Sequence, residues 1–315
     1  MSQTLEERSQ IAALRSGNRL IVQPPSLRTG AYLAAVRAAG AVSRRLNFKG
    51  LWHTAKHLGP LIGPDPVCSV ATGQDSRFAF QCSDPYWARL IARSFVYEVE
   101  IRDALTLLRG VDFAFLDCGS NLGYWSVFCS DAAIGCQQVL AVEASATTFP
   151  LLERNRRLNN DRFRTLHRAI FSRSGEIVRI HQPGSDHASA GIGETGMEVE
   201  TTTIDDLAAA MRSCALLVIK LDVEGVEIPA FEGASQALKG PAVVMFEDHG
   251  SDPTSKVCRF VMDTLALDVF AHDGDGGFVR LRSADEASAL KTNPKKGYNF
   301  FAVTPAARGL FPMRS

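Results

Sequence analysis

The sequence predicts an α/β protein built on a doubly wound, mostly parallel sheet, and three observations carry that expectation. From Val111 onward, short apolar runs of strand length alternate regularly with helical patterns. One stretch, Phe113 to Phe128 (FAFLDCGSNLGYWSVF), passes from an apolar run through an acid and a Gly-rich turn into an apolar periodic segment, which reads as strand, turn and helix. Four of the apolar runs stop at an acid: Asp117, Glu143, Asp222 and Glu247. In doubly wound sheets ligands sit beyond the carboxyl ends of the strands, so these stops are the positions to inspect.

In chain order, residues 1–110 are expected to form a helical and hairpin extension and residues 111–315 the sheet domain. Helical patterns around Gln10–Arg15 and Tyr32–Leu46 are separated by Pro24 and Pro25, and a Gly/Pro-rich loop follows from Gly59 to Pro66. Val67–Ala71 and Arg77–Cys82, rich in β-favouring residues and flanking Thr72-Gly73-Gln74-Asp75, read as a hairpin. Asp84-Pro85 opens a helical stretch to about Leu108. His53 and His57 share one possible helix face; without a third ligand nearby they read as a solvated face rather than a metal site. Strands are then expected at Phe113–Asp117, Gln138–Glu143, Thr165–Ile170, Leu216–Asp222, Ala242–Glu247, Leu267–Ala271 and Tyr298–Val303. Helices are expected near Leu122–Ala133, Thr148–Asn159, Ile204–Met211, Glu227–Leu238 and Thr254–Leu265. The Gly/Ser-rich segment Ile180–Gly196 reads either as a substrate-facing loop or as a surface one.

The Gly-rich turn is built to admit a ligand. Gly119 can take a positive φ where the chain reverses, and Gly123 lets the helix start approach its surroundings closely. Asp117 can hold a hydroxyl or ammonium group, and free N–H groups of the new helix can hold a carboxylate or phosphate. A dinucleotide fingerprint needs glycine where this chain has Asn121, because pyrophosphate must approach the backbone there. Glu143 lies where the acid for a ribose diol is found in nucleotide folds. Tyr124 and Trp125 offer aromatic faces to a cation or pack in the core. In VIKLDVEGVE, Lys220, Asp222 and Glu224 surround the end of an apolar strand, where charged groups need partners or a ligand. The run Met245–His249 ends in the same manner, and His249 can take a proton near neutral pH.

Composition excludes several classes. Lys+Arg and Asp+Glu both number 34, so no global field holds a polyanion, and nucleic acid is not expected as a partner. No apolar run approaches the roughly 20 residues that span a bilayer. The seven cysteines lack a CxxC pair and the first ten residues lack the apolar stretch of a signal peptide, which reads as reduced thiols and a cytoplasmic location.

An acid before Gly-x-Asn-x-Gly resembles the first motif of the S-adenosylmethionine-dependent methyltransferases, whose ligand carries no phosphate and has an amino acid end. The runs FLDCGSNLGYWSVF, VLAVEASATTFPLLERNRRLNN, HRAIFSRSGEIVRI, VETTTIDDL, VIKLDVEGVEIPAFEGA and NFFAV, in that order, resemble the FkbM methyltransferases over roughly Phe113 to Val303. Tyr97-Glu98 is similar to a Tyr-Glu pair placed before the first strand in that family. The resemblance implies a seven-stranded sheet with an antiparallel last strand and S-adenosylmethionine as cofactor. It further implies O-methylation of a hydroxyl on a sugar, glycan or polyketide-type acceptor. It places Asp117, Gly119, Asn121, Gly123 and Glu143 at cofactor positions, with Glu98, Ser120, Tyr124 and Ala144 beside them, and Asp222, Glu224 and Gly225 on a second signature. Arg168 stands where the family often has Asn.

The chemistry expected is in-line displacement, with a base to take the acceptor proton: Asp222, then Glu224, then His249. Mg²⁺ held by Asp222 and Glu247 is a second route to the same end. A nicotinamide-dependent oxidoreductase and a non-catalytic cofactor-binding protein are the alternatives from other classes.

Overall fold

The computed structural model describes residues 20–23, 26–43, 50–63, 66–92, 95–181, 191–192 and 195–311. The expected helix at Gln10–Arg15, the Pro24-Pro25 break and the end of the Tyr32–Leu46 pattern lie outside them. Strand β1 (Leu20–Gln23) pairs with β2 (Val67–Ala71), which pairs with β3 (Arg77–Gln81), and helices α1 (Leu27–Ser43) and α2 (Leu51–Leu58) fall between β1 and β2. The hairpin is as expected, but its cysteines are not. Cys68 and Cys82, 14 residues apart and buried, form a disulfide, which corrects the expectation of seven reduced thiols. The stretch expected to be helical from Asp84 to Leu108 resolves into a tight turn at Trp87–Ile91 and helix α3 (Val99–Leu107). The turn ends where Ala92 becomes extended, and Glu98, at φ 39°, marks the start of α3. The left-handed conformation cannot continue a helix.

The central sheet comprises β4 (Phe113–Cys118), β5 (Gln138–Glu143) and β6 (Arg164–His167). A small side sheet takes β7 (Ala169–Ile170), β8 (Ile177–His181), β9 (Gly191–Ile192) and β10 (Met197–Thr202). The chain then returns to the central sheet with β11 (Leu216–Leu221), β12 (Ala242–His249), β13 (Asp268–His272), β14 (Phe278–Arg280) and β15 (Gly297–Val303). The spatial order is β14-β13-β15-β12-β11-β4-β5-β6. Strands β6, β5, β4, β11 and β12 are mutually parallel, and β15 runs antiparallel between β12 and β13. Six of the seven expected strands are present, the third is divided, and the short β14 is an eighth strand on the edge of the central sheet. Thr165–Ile170 is not one strand: β6 pairs with β5 while β7 pairs with β10. Arg168, between them, bonds the His167 carbonyl and pairs with Glu200 of β10 at 3.0 Å, so the chain changes sheets at that residue.

Helices α4 (Tyr124–Cys129), α5 (Phe149–Leu158), α6 (Ile204–Ala209), α7 (Glu227–Glu232), α8 (Lys256–Arg259) and α9 (Ala284–Leu290) cover the sheet. Several are shorter than their patterns predict. The first of them starts at Tyr124 rather than Leu122, because Asn121 and Gly123 both sit at positive φ. Every residue of β4 is buried, and its alternation divides the core. Phe113 and Phe115 face a cluster shared with Val36, Leu51, Phe78 and Trp87 of the N-terminal third. Leu116 and Cys118 face the other, with Phe231, Phe246 and Val261. Each buried phenylalanine contributes about 1.5–3 kcal/mol. No helix among the described residues is long and apolar enough to cross a membrane.

Candidate active site

A cleft of about 1120 Å³ opens over the carboxyl ends of β5, β4, β11 and β12. The strand order places Glu143, Asp117, Asp222 and Glu247 near the carboxyl ends of four successive strands, although β12 continues two residues past Glu247, its expected end, to His249. Neighbouring strands lie about 4.8 Å apart. Glu143 and Glu247 therefore occupy opposite sides of the opening.

The turn after β4 is held in shape by its neighbours. Gly119, at φ +73°, has the backbone carbonyl of Asp222 where a β-carbon would stand, so only glycine allows β4 and β11 to close there. Gly123, at φ +84°, is closed on by Leu152 of α5. Asn121 donates its N–H to Glu143 Oε2 at 2.8 Å, Leu122 N–H goes to Asn121 Oδ1, and Gly123 N–H to the Ser120 carbonyl. These N–H groups, expected to be free for a ligand, are engaged within the protein. Asp117 Oδ2 likewise accepts from Ser126 N and Oγ of α4, at 3.1 and 2.6 Å. Its Oδ1 is buried without a partner among the described residues, as is Ser120 Oγ. Burial raises the Asp117 carboxyl above the ordinary range, against the pull of Lys220.

Of the expected cofactor residues, Glu98, Gly119, Ser120, Asn121, Tyr124, Glu143 and Ala144 line the cleft. Asp117 and Gly123 stand behind its wall, fixing the turn. Glu143 also accepts from Ser145 N at 2.7 Å, so each carboxylate oxygen holds one backbone amide. Burial lifts its pKa to about 7, with the two amides opposing. Glu98 receives the Trp125 indole N–H at 2.6 Å, and burial lifts it to about 7 against the attraction of Lys220. Tyr124, raised to about 12 by burial, packs edge-on against Trp125 and Phe78.

Across the cleft lie Lys220, Asp222, Glu224, Glu247 and His249. Lys220 Nζ bonds Asp222 Oδ2 at 2.8 Å with its side chain 5% exposed. Burial works against that ammonium, but Asp222, Glu98 and Asp117 outweigh it and hold its pKa above the ordinary value. His249 is exposed and its Nδ1 meets Ser251 Oγ at 2.6 Å. Glu247 is lifted to about 8, first by burial and then by Asp222, Glu224 and Glu98.

Tyr86, Trp87, Arg89 and Phe95 line the same cleft and were missed in the sequence. Tyr86 bonds Tyr97 hydroxyl to hydroxyl at 2.7 Å, and the Arg89 guanidinium lies over its ring. The signal was available in the aromatic density of residues 86–97. His53 and His57 stack at 6.4 Å on the exposed face of α2, and no group of three or more His, Cys, Asp or Glu among the described residues can hold a metal ion.

The sequence pattern described as Methyltransferase FkbM domain matches residues 117–279, from the acid at the end of β4 to β14. The chain belongs to the FkbM methyltransferase family. It is 27% identical over 216 residues to the hexuronic acid methyltransferase AglP of Haloferax volcanii, across 68% of this chain and 87% of that protein. Among solved structures it is similar to an FkbM methyltransferase from Methylobacillus flagellatus, at 14% identity and a TM-score of 0.38, over 60% of this chain. The chain spans 43% of that structure's length. A SAM-dependent O-methyltransferase from Thermotoga maritima matches at 14% identity and a TM-score of 0.37, over 78% of this chain and 81% of that one.

Proposed function

We propose that this FkbM methyltransferase uses S-adenosylmethionine to methylate a hydroxyl of a sugar or glycan, and that the cleft above β5, β4, β11 and β12 is where both bind. The observation that carries the reading is the family match over the turn and strand ends that form the cleft. The hexuronic acid acted on by the Haloferax volcanii relative supports a sugar acceptor.

The residues fit such a cofactor. Each oxygen of Glu143 keeps a lone pair beyond its backbone amide, enough for a ribose diol. Ser120 Oγ, buried in the cleft wall and without a partner among the described residues, is a ready polar contact, and Tyr124 and Trp125 put aromatic faces beside it. When bound, the cofactor supplies a methyl group already activated on a sulfonium. What remains for the protein is to orient the acceptor oxygen opposite the sulfur, exclude water and receive the hydroxyl proton. Asp222, Glu224 and His249 all line the cleft as candidates for that last task, and Lys220 bonds Asp222.

Calorimetry with S-adenosylhomocysteine and, separately, with NAD tests the cofactor. Binding of the first alone is expected, and Glu143→Ala should weaken it about tenfold or more, the loss of a charged hydrogen-bond acceptor. Equal affinity in wild type and variant would remove Glu143 from the cofactor site. Transfer of labelled methyl to p-nitrophenyl glucuronide, unaffected by chelator, is the expected activity; a requirement for added Mg²⁺ would favour the metal route.

A further inference from the structure

Among the described residues, Glu247 is the carboxylate of the cleft that no hydrogen-bond donor engages. Glu98, Glu100, Glu143 and Asp222 accept hydrogen bonds from Trp125, Asn299, two backbone amides and Lys220 in turn, and Glu224 is also engaged. Glu247 accepts none from any described residue. Its place is nonetheless specified. A β-carbon at Gly297, on the neighbouring β15, would fall on the Glu247 carboxylate, so the group rests on a bare backbone that glycine alone provides. Half-buried in the cleft wall, it is on the side away from Glu143 and next to the strand that carries Asp222.

We propose that Glu247 is the catalytic base, taking the acceptor's hydroxyl proton, and that Gly297 keeps the space it occupies. This rests on the reading of the cleft as a methyl-transfer site. As the acceptor oxygen bonds to the methyl carbon, the carbon–sulfur bond breaks with its electron pair going to sulfur, and the hydroxyl proton passes to a Glu247 oxygen and then to water. Asp222 already gives one carboxylate oxygen to the Lys220 ammonium, whereas neither Glu247 oxygen is engaged by a described residue. Burial first, and then Asp222, Glu224 and Glu98, favour proton uptake by Glu247 while Lys220 opposes them, and His249 and Lys296 share the cleft.

The test uses Glu247→Gln and Gly297→Ala, with methyl transfer to p-nitrophenyl glucuronide and S-adenosylhomocysteine affinity measured on each. Glu247→Gln is expected to lower kcat 10²–10⁴-fold while leaving S-adenosylhomocysteine affinity within about threefold, the range of general-base catalysis. Gly297→Ala, which displaces a side-chain tip and not backbone, should lower kcat at least tenfold with the protein still folded. Independently of turnover, a ¹³C-labelled glutamate carboxyl that vanishes in Glu247→Gln should titrate near pH 8 in the wild type. A kcat within threefold of wild type in Glu247→Gln, a titration near pH 4.5, or chelator-sensitive transfer restored by Mg²⁺ would each overturn the assignment. Wild-type protein that binds no S-adenosylhomocysteine would overturn the methyl-transfer reading and the assignment together, whereas an active wild type with an equally active variant overturns the assignment alone.

Discussion

Lys220 shows how one residue can be read in two ways until its neighbours are known. In sequence it is a charge inside an apolar run, next to Asp117 in the register of β4 and β11. In the fold its ammonium is the counter-charge for Asp222, which it bonds, and for Glu98 and Asp117 nearby. Removing it leaves those carboxylates without their counter-charge. Lys220→Met is therefore expected to destabilise the protein by about 3–5 kcal/mol, the usual result of breaking a buried pair from one side. Urea denaturation measures it, and a change below about 0.5 kcal/mol would mean that the carboxylates find protons instead. Asp117 carries the opposite lesson. Its position at the end of β4 suggested a ligand, yet one of its oxygens ties down Ser126 and it stands behind the cleft wall.

Between elements, the most specific joint lies where α5 meets the hairpin. Strand β3 is the outer strand of its three-stranded sheet, and an open edge invites pairing with other chains. Asn155 and Asn159, one helical turn apart on α5, close it. Asn155 Oδ1 accepts from Ala79 N at 2.7 Å and its Nδ2 donates to the Ala79 carbonyl at 2.9 Å, while Asn159 makes the same pair of bonds to Arg77 at 2.9 and 2.8 Å. The two amides thus mimic a fourth strand. Asn155 also donates to the Leu122 carbonyl, linking the hairpin to the turn that forms the cleft. Asn155→Ala leaves those buried groups unpaired and is expected to cost about 1–3 kcal/mol. The Ala79 amide should then exchange with solvent faster than in the wild type; an unchanged rate would show that the joint does not hold the strand. None of this was legible in NRRLNN, because a helix pattern reports which face is buried and not which strand edge awaits it.

For the whole molecule, gathering so many acids at one end of the sheet has a pH signature. Glu98 and Glu143 are raised to about 7 and Glu247 to about 8, mainly by burial. A carboxyl whose folded pKa exceeds its unfolded value of about 4.3 binds its proton more tightly when folded. Its contribution to stability is complete below about pH 4 and is lost as pH rises through the folded value. His272, raised by Asp103, loses its contribution in the same direction. The lowered acids Asp131 and Asp252 act only at lower pH. Cofactor-free protein should therefore melt at a lower temperature at pH 8.5 than at pH 5.5, because each group lowers stability by at most about 1.4 kcal/mol per pH unit. Glu143→Gln should flatten that slope, and a melting temperature that rises with pH would show that these acids are ionised at little cost.

By itself the sequence determined the sheet, the Gly-rich turn, the acids at the strand ends and the family. These depend on local patterns, since strand and helix periods, turn glycines and motif order are properties of neighbouring residues. It could not decide which acid does what. Asp117, Glu143, Asp222 and Glu247 occupy equivalent places in the pattern, and their differences come from Ser126, Asn121, Lys220 and Gly297, of which only Lys220, two residues before Asp222, is a near neighbour in sequence. The disulfide between Cys68 and Cys82, the break at Arg168 and the aromatic wall from residues 86–97 were likewise settled by packing. Proton affinity depends on burial and neighbouring charge, and both are fixed only when distant segments meet.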